Sequence, residues 1–316
     1  MFAAVFSFFI IQYSTTLPFP QEDNPIIFYS GQNRQDLKLL YCKALQQALS
    51  SIYISSFGLS DPQIFHWILR KAENLVPITI ACHPKEIRKK KKKYPENVEF
   101  VPMKTSGISH EKILLIDDKY LFLGSANLTN TSLAVHDNLV IGLCSPKLAK
   151  QFKQRGPQTF FHENLGDEHL SFYFLPEKND QCLNALLQRI NEAQEEIKIA
   201  MFTLTHPGIL DALKQAKERK LHIEIIMDRY SAAGCCRKTL DFLQQNNISV
   251  RQSQLCKLMH HKWALIDNKY FITGSANWTR SAFSKNYDYI IIFNKINKKH
   301  KLFINKIWNK LIKESK

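Results

Sequence analysis

The sequence predicts an α/β protein made of two similar halves, at about residues 30–165 and 170–316. Three observations predict it: strand-like segments alternate with amphipathic segments, their order repeats, and one polar motif occurs once in each half. The 316 residues are 45% hydrophobic and 22% charged, a globular composition that excludes disordered and fibrous proteins. The sequence has no run of about 18 apolar residues, which also excludes a polytopic membrane protein.

Each half opens with the order strand, helix, strand, at an offset of 145 residues (Pro62 and Pro207). Residues 51–57 and 196–202 alternate apolar with small or polar residues, as strands do. Each proline stands where a helix begins, because the first helical turn does not use that N–H. We predict helices at 63–73 and 208–217 and strands at 78–82 and 223–227. Parallel strands joined by a crossover helix are the simplest interpretation.

The strongest signal is the pattern H-x-K-x4-D-x6-G-S-x-N, which occurs twice, 150 residues apart (His110 and His260). A single match can arise by chance, whereas the full pattern at corresponding places in two similar halves does not. Both copies retain every position, so we expect an active enzyme rather than a degenerate module. In chain order, the motif residues are His110, Lys112, Asp117, Ser125 and Asn127, then His260, Lys262, Asp267, Ser275 and Asn277.

Each motif is predicted to lie on a β-hairpin, with its turn at residues 118–119 or 268–269, between apolar runs. Side chains two residues apart on a strand face the same way, so each motif His points to the same side as its Lys. The hairpin then returns the motif Ser and Asn beside them.

The residue types of this cluster suit chemistry at phosphorus. Lysine supplies a compact positive charge, and the Asn amide and Ser hydroxyl supply hydrogen-bond donors to phosphate oxygens. A neutral imidazole can attack phosphorus, while a protonated one can donate to the leaving oxygen. One motif supplies half of these groups, and two facing motifs supply all of them.

The doubled motif resembles that of the phospholipase D superfamily, over residues 34–312. The resemblance implies two similar α/β/α sandwich halves that form a pseudo-twofold dimer within one chain, with the active site on the axis. It also implies that one motif histidine becomes a phosphohistidine while the other acts as general acid and then activates water, with no metal or other cofactor. Since one chain brings both motifs, we expect an active monomer without an obligate protein partner.

The resemblance assigns a role to each motif position. It makes the two histidines the nucleophile and the acid/base pair, with His110 favoured as nucleophile, and it makes the two lysines phosphate clamps. The two motif aspartates count among the catalytic positions, although we expect them to support the hairpins rather than to contact substrate. Members of the superfamily often carry a downstream acid that orients the histidine. The predicted site residues are therefore catalytic His110, Lys112, Asp117, Asn127, His260, Lys262, Asp267 and Asn277, substrate-binding Ser125 and Ser275, and histidine-orienting Asp137 and Asp288.

The formal net charge of +15 indicates an anionic partner, either a phosphate-bearing lipid surface or nucleic acid. Residues 88–93 are six consecutive cations, located between a predicted strand and the first motif. Such a run is a solvated face, a contact to an anionic membrane or a contact to a nucleic-acid backbone. Its place between the second strand and the catalytic hairpin predicts that it lies near the mouth of the site.

We favour a phospholipase D that hydrolyses phosphatidylcholine- or cardiolipin-type phospholipid to phosphatidic acid, because the apolar N-terminus and the basic surface suit an anionic bilayer. The alternative is an endonuclease that cleaves DNA or RNA by the same mechanism, which the charge and the small size favour. A third hypothesis is a secreted effector that binds a host membrane and whose catalysis is incidental.

Residues 2–11 form an apolar run broken only by Ser7, which is typical of a signal-peptide core or a weak anchor within residues 1–18. No Lys or Arg precedes it and no A-x-A site follows, so an ordinary buried segment is the alternative. We therefore expect a secreted or membrane-associated protein, with a cytoplasmic location as the alternative.

Overall fold

The computed structural model describes residues 17–154 and 160–316. The apolar run predicted as a signal peptide or anchor lies outside these ranges. Among the helices of the two ranges, none has the length and hydropathy needed to span a bilayer.

The first half alternates strands and helices as predicted. The elements of this half are β1 (Ile26–Tyr29), α1 (Leu37–Gln47), β2 (Ile52–Ser56), α2 (Pro62–Glu73), β3 (Ile78–Cys82), α3 (Pro84–Lys91), β4 (Val98–Pro102), β5 (Lys112–Ile116), β6 (Tyr120–Gly124), α4 (Asn130–Ala134), β7 (Val140–Cys144) and α5 (Pro146–Gln154). A short 3₁₀ turn at Gly31–Asn33 follows β1.

The second half repeats this order with one additional strand at its start and one additional helix. Its elements are β8 (Phe160–Leu165), β9 (Glu168–Leu175), α6 (Asn179–Asn191), β10 (Glu196–Met201), α7 (Pro207–Glu218), β11 (His222–Met227), α8 (Arg229–Ala233), α9 (Arg237–Gln245), β12 (Ser249–Gln252), β13 (Lys262–Ile266), β14 (Tyr270–Gly274), α10 (Arg280–Ser284), β15 (Asp288–Phe293) and α11 (Lys298–Lys313).

Each half builds one mixed sheet. The first sheet has the strand order β1-β7-β6-β5-β2-β3-β4, and the second has β12-β11-β10-β13-β14-β15-β9-β8. The strands that flank a crossover helix, β2 with β3 and β10 with β11, pair in parallel, as predicted. Each motif hairpin pairs antiparallel with the first of these strands. Proline begins both crossover helices, at Pro62 and Pro207.

The strand β8 corrects the predicted boundary at residue 165. It pairs antiparallel with β9 from Phe160 to Leu165, within the sheet of the second half. The stretch between the two predicted halves is therefore an edge hairpin of the second sheet. β8 is the edge strand and is mostly half-buried or exposed, whereas β9 is buried at all residues but one.

The two sheets pack face to face around one shared core. The rings of Phe28 on β1 and Phe271 on β14 lie 5.6 Å apart, and the same core takes side chains from β5, β6, α5 and α11. Separate cores lie beneath the helices on the outer face of each sheet. The arrangement confirms the predicted fold class of two similar α/β halves.

Candidate active site

Backbone hydrogen bonds join the two halves directly beside the motif histidines. The N–H of His110 donates to the carbonyl of Tyr287 at 2.8 Å, and the N–H of His260 donates to the carbonyl of Asp137 at 2.9 Å. Each pair is the counterpart of the other at an offset of 150 residues. The starts of the two motif strands therefore lie near each other, and the two histidines are related by the pseudo-twofold symmetry of the repeat.

A two-residue turn closes each motif hairpin and explains the motif aspartate. Asp117 and Asp118 both have positive φ, at 55° and 48°, as do Asp267 and Asn268 in the second half. Such a turn matches the twist of the two strands, and Asp and Asn tolerate its backbone. Both motif aspartates lie at the end of the strand remote from the histidine. There Asp117 accepts from the N–H groups of residues 49–51, and Asp267 accepts from those of residues 194–196.

The motif glycine allows the second strand to approach its neighbour. Gly124 has a φ of 153°, and a Cβ there would lie 2.1 Å from the carbonyl oxygen of Leu139. Gly274 repeats this conformation against Tyr289. Only glycine fits so close to a neighbouring backbone, so this position fixes the loop that carries the motif Ser and Asn.

His110 is buried and is held from the other half of the chain. Its Nδ1 lies 2.9 Å from Oδ1 of Asp288, which also accepts the hydroxyl of Ser275 at 2.6 Å. A carboxylate can only accept, so Nδ1 carries the proton and Nε2 keeps its lone pair. Burial and then the charge of Lys112 lower the pKa of His110, so its ring is neutral at neutral pH.

His260 is held in the same way, but by an amide instead of a carboxylate. Its Nδ1 lies 3.0 Å from Oδ1 of Asn138, which also accepts the hydroxyl of Ser125 at 2.8 Å. The amide nitrogen of Asn138 donates to the carbonyl of Ser132 at 2.8 Å, so its oxygen is the atom that faces the histidine. An amide oxygen fixes the same tautomer as a carboxylate but supplies no negative charge.

Lys112 and Lys262 bring two amino groups into one buried site. Each Nζ donates to the carbonyl of its own motif histidine, at 2.5 Å for Lys112 and 3.1 Å for Lys262. Burial lowers the pKa of Lys112 to about 7. Burial and then the charge of Lys112 lower the pKa of Lys262 well below its usual value. Two protonated lysines in a buried site repel each other, because water does not screen their charges. A bound anion between them would reduce this repulsion.

Asn127 and Asn277 lie half-buried on the loops that follow β6 and β14. Within the part of the chain that the structure describes, the side-chain oxygen of each is buried and has no hydrogen-bond partner. The side-chain oxygens of the two residues are therefore not held by the surrounding protein, and their contact to substrate stays a prediction.

The motif serines and aspartates make hydrogen bonds within the protein. Ser125 and Ser275 are buried, and their hydroxyls donate to Asn138 and Asp288, the residues that hold the motif histidines. Asp117 and Asp267 lie at the far ends of the motif strands, where each accepts hydrogen bonds from a neighbouring backbone segment.

Asp137 does not orient a histidine. Its carboxylate pairs with Nζ of Lys257 at 2.6 Å, and burial raises its pKa to about 6 despite that lysine. The orienting position belongs to its neighbour Asn138, which is the residue 150 positions before Asp288. The repeat offset would have identified Asn138, but a search for an acid led to Asp137.

Two phenylalanines at the site were also missed. Phe57 and Phe202 follow the first strands of the two crossover units, at the offset of 145 residues. Each packs its ring edge-to-face with a motif histidine, with centroids 5.5 Å apart for His110 and 4.8 Å apart for His260. Their ring faces also contact the two motif lysines. Their equivalent positions in the two repeats could have identified both as residues of the site.

The site offers no cluster of metal ligands in residues 17–154 and 160–316, where no three His, Cys, Asp or Glu side chains converge. The site brings together two imidazoles, two lysine amino groups, one carboxylate and two side-chain amides.

A family model described as "Cardiolipin synthase, PLD-like domain" matches residues 41–156 and 186–309, one segment in each half. The mitochondrial cardiolipin hydrolase of Xenopus laevis is 32% identical over 36% of this chain and 53% of its own length. Phospholipase D of Rickettsia prowazekii is 29% identical over 46% of this chain and 70% of its own length. The chain thus spans about half the length of the cardiolipin hydrolases that it matches.

The solved structure of phosphatidylserine synthase from Haemophilus influenzae covers 94% of this chain and 88% of its own, with a TM-score of 0.73. Its sequence identity is 13%, so the likeness concerns the fold alone. The family model matches both halves, and each matched segment contains one complete motif. The chain therefore belongs to the phospholipase D superfamily.

Proposed function

We propose that the protein is a phospholipase D-type phosphodiesterase that hydrolyses phosphatidylcholine- or cardiolipin-type phospholipid to phosphatidic acid through a phosphohistidine. The observation that carries the proposal is the meeting of two His–Lys pairs, one from each half, in a single buried site. When both lysines are protonated, they outnumber the one carboxylate there, and a phosphodiester anion neutralises the net positive charge. A bound anion restores both lysines to their charged form, and they then hold its non-bridging oxygens.

The asymmetry of the orienting residues supports His110 as the nucleophile. When Nε2 attacks phosphorus, the imidazole ring becomes cationic, and the Asp288 carboxylate at Nδ1 stabilises that charge. His260 faces only the neutral amide of Asn138, so its imidazolium is less stabilised and is the stronger acid. The two environments separate the roles of the histidines, as a nucleophile and an acid require.

The proposed reaction has two steps. In the first, His260 starts as the imidazolium, protonated on both ring nitrogens. Nε2 of His110 forms a bond to phosphorus, the bond from phosphorus to the head-group oxygen breaks, and that oxygen takes the Nε2 proton of His260, which leaves His260 neutral. In the second, neutral His260 removes a proton from water while the oxygen of that water attacks phosphorus. The P–N bond then breaks, which returns His110 to its neutral form and releases phosphatidic acid. Lys112, Lys262, Asn127 and Asn277 contact the phosphate oxygens throughout.

The lipid substrate is supported by the relatives, which include cardiolipin hydrolases and phospholipases D by name. An endonuclease that uses the same two steps is the second candidate, and the net charge of +15 favours it.

The deciding experiment gives the full chain, in the presence of EDTA, three substrates in parallel. These are vesicles that contain cardiolipin and phosphatidylcholine, single-stranded DNA or RNA, and the soluble diester bis(p-nitrophenyl) phosphate. His110→Ala and His260→Ala are the controls. Release of phosphatidic acid that both substitutions abolish supports the proposal. Cleaved oligonucleotide with intact lipid would establish the endonuclease instead, and no turnover of any substrate would contradict both.

A further inference from the structure

The loops around the active site carry an unusual amount of exposed apolar surface. The end of β2 and the start of β5 lie at one end of the first sheet, and the end of β11 and the start of β13 lie at the matching end of the second. The backbone contacts at His110 and His260 join these two ends. We call the segments around this junction the rim, defined as residues 57–61, 104–109, 134–137, 228–230 and 253–259.

Five large hydrophobic side chains of the rim are exposed to solvent. Their exposed fractions are 53% for Phe57, 43% for Ile108, 52% for Val135, 50% for Tyr230 and 39% for Leu255. They come from five separate segments and from both halves; four lie in loops, and Tyr230 lies in the first turn of α8. Both halves contribute to this set of exposed side chains, so the apolar surface forms only where the two halves meet at the mouth of the site.

Other exposed hydrophobic residues are scattered, which is ordinary for a protein surface. Leu49 and Leu75 precede β2 and β3, so they lie at the opposite end of the first sheet, one strand length or about 16 Å away. Leu302 lies on α11. These three are at least as exposed as the rim residues, at 83%, 81% and 61%, and provide a matched comparison.

Cations accompany the apolar side chains of the rim. Lys85, at the start of α3, lines a cleft of about 460 Å³ together with Phe57, Ile108 and Ser109, immediately before His110. Lys91–Lys93, at and beyond the other end of this helix, are exposed but do not belong to the rim. The guanidinium of Arg229 lies 5.0 Å from the ring centre of Tyr230. Apolar side chains and cations thus share one surface.

This combination fits the surface of an anionic bilayer. Aliphatic side chains gain free energy when they leave water for the acyl boundary, while Tyr and Lys remain at the head groups. Nucleic acid would use the cations and the aromatic rings, but it offers little to Ile108, Val135 and Leu255. The aliphatic residues therefore favour lipid.

We propose that the rim docks on an anionic phospholipid surface, with Ile108, Val135 and Leu255 inserted and Lys85 at the head groups. This inference rests on the proposed function, since docking in this orientation brings a lipid phosphodiester to the open side of His110. The substrate is then taken from the bilayer and not from free solution.

The test compares two triple variants of the full chain. The rim variant carries Ile108→Ser, Val135→Ser and Leu255→Ser, and the remote variant carries Leu49→Ser, Leu75→Ser and Leu302→Ser. Phe57 is kept because it contacts His110. Co-sedimentation measures binding to phosphatidylcholine vesicles with and without phosphatidylglycerol, and bis(p-nitrophenyl) phosphate measures the catalytic centre independently of any membrane.

We expect the rim variant to bind vesicles about 100-fold more weakly than the wild type, and the remote variant to bind normally. Lys85→Gln should weaken binding about fivefold, and only to vesicles that contain phosphatidylglycerol. The rim variant should also lose vesicle hydrolysis while it keeps turnover of the soluble diester, which shows that it folds.

Three results would overturn the inference: equal loss of binding in the rim and remote variants, normal binding of the rim variant, or no vesicle binding by an active wild type. Failure of the proposed function is distinguishable, because it would appear as a wild type that binds vesicles but hydrolyses neither lipid nor soluble diester.

Discussion

The two halves of the chain place matching side chains around their histidines, except at the residue that accepts the hydrogen bond from Nδ1. Asp288 of the second half holds His110 at 2.9 Å, whereas Asn138 of the first half holds His260 at 3.0 Å. The backbone, the supporting serines and the adjacent phenylalanines are repeated. A duplicated scaffold can therefore give two identical groups different chemistry when one carboxylate is exchanged for an amide of the same shape.

The largest effect should come from removing the histidines. His110→Ala and His260→Ala should each lower turnover of phospholipid by about 10²–10⁴-fold, since each loses a nucleophile or an acid. The two variants should differ from each other with bis(p-nitrophenyl) phosphate, because its leaving group needs no general acid. His260→Ala should then accumulate phosphohistidine, detectable by mass spectrometry, and His110→Ala should form none. Accumulation in His110→Ala alone would reverse the assigned roles.

Asp288→Asn makes the two halves alike at this position. Turnover should fall about 10²–10³-fold, because the cationic ring of the intermediate loses its counter-charge while the tautomer is kept. Asn138→Asp is the matched change in the other half, and its carboxylate should raise the pKa of His260. The limb of the pH profile of kcat/KM that reports His260 should then move to higher pH. An equal loss of rate in both variants without a shift of the profile would refute the distinction.

Lys112→Met should lower activity while it stabilises the ligand-free protein by about 1–3 kcal/mol near neutral pH, because it removes a buried charge that lacks a full partner. The lysine of the unfolded chain keeps its proton up to about pH 10.5, whereas the buried lysine loses it near pH 7. The unfolded state binds more protons between these values, so stability of the wild type should rise with pH across that window. Urea unfolding of both proteins at several pH values measures the effect, and a less stable Lys112→Met would contradict it.

The smallest effects should come from the turn aspartates. Asp117→Ala and Asp267→Ala each leave three backbone N–H groups to water, so each should lower the free energy of unfolding by about 1–2 kcal/mol. Turnover of the soluble diester should change little, because both residues lie at the far ends of the motif strands. Thermal melts together with initial rates test this, and a loss as large as that of a histidine variant would place an aspartate in the chemistry.

The sequence by itself determined the repeat, the α/β class, the crossover units and the two motif hairpins. These features depend on residues close together in the chain, where strand alternation, helix-starting prolines and turn residues leave a periodic or local pattern. The parallel arrangement of β2 and β3 and the pairing of the two strands of each hairpin followed from the same patterns. The assignment of Asp137 failed because residue type was given more weight than the repeat offset, which pointed to Asn138.

Only the tertiary structure decided which residue holds which histidine. Asp288 and His110 are 178 residues apart, and Asn138 and His260 are 122 apart, so no local pattern records either contact. The packing of one sheet on the other brings them together, and it also places the five exposed hydrophobic residues of the rim on one surface. Packing between distant segments depends on side-chain fit across an interface, and such fit leaves no period in the chain.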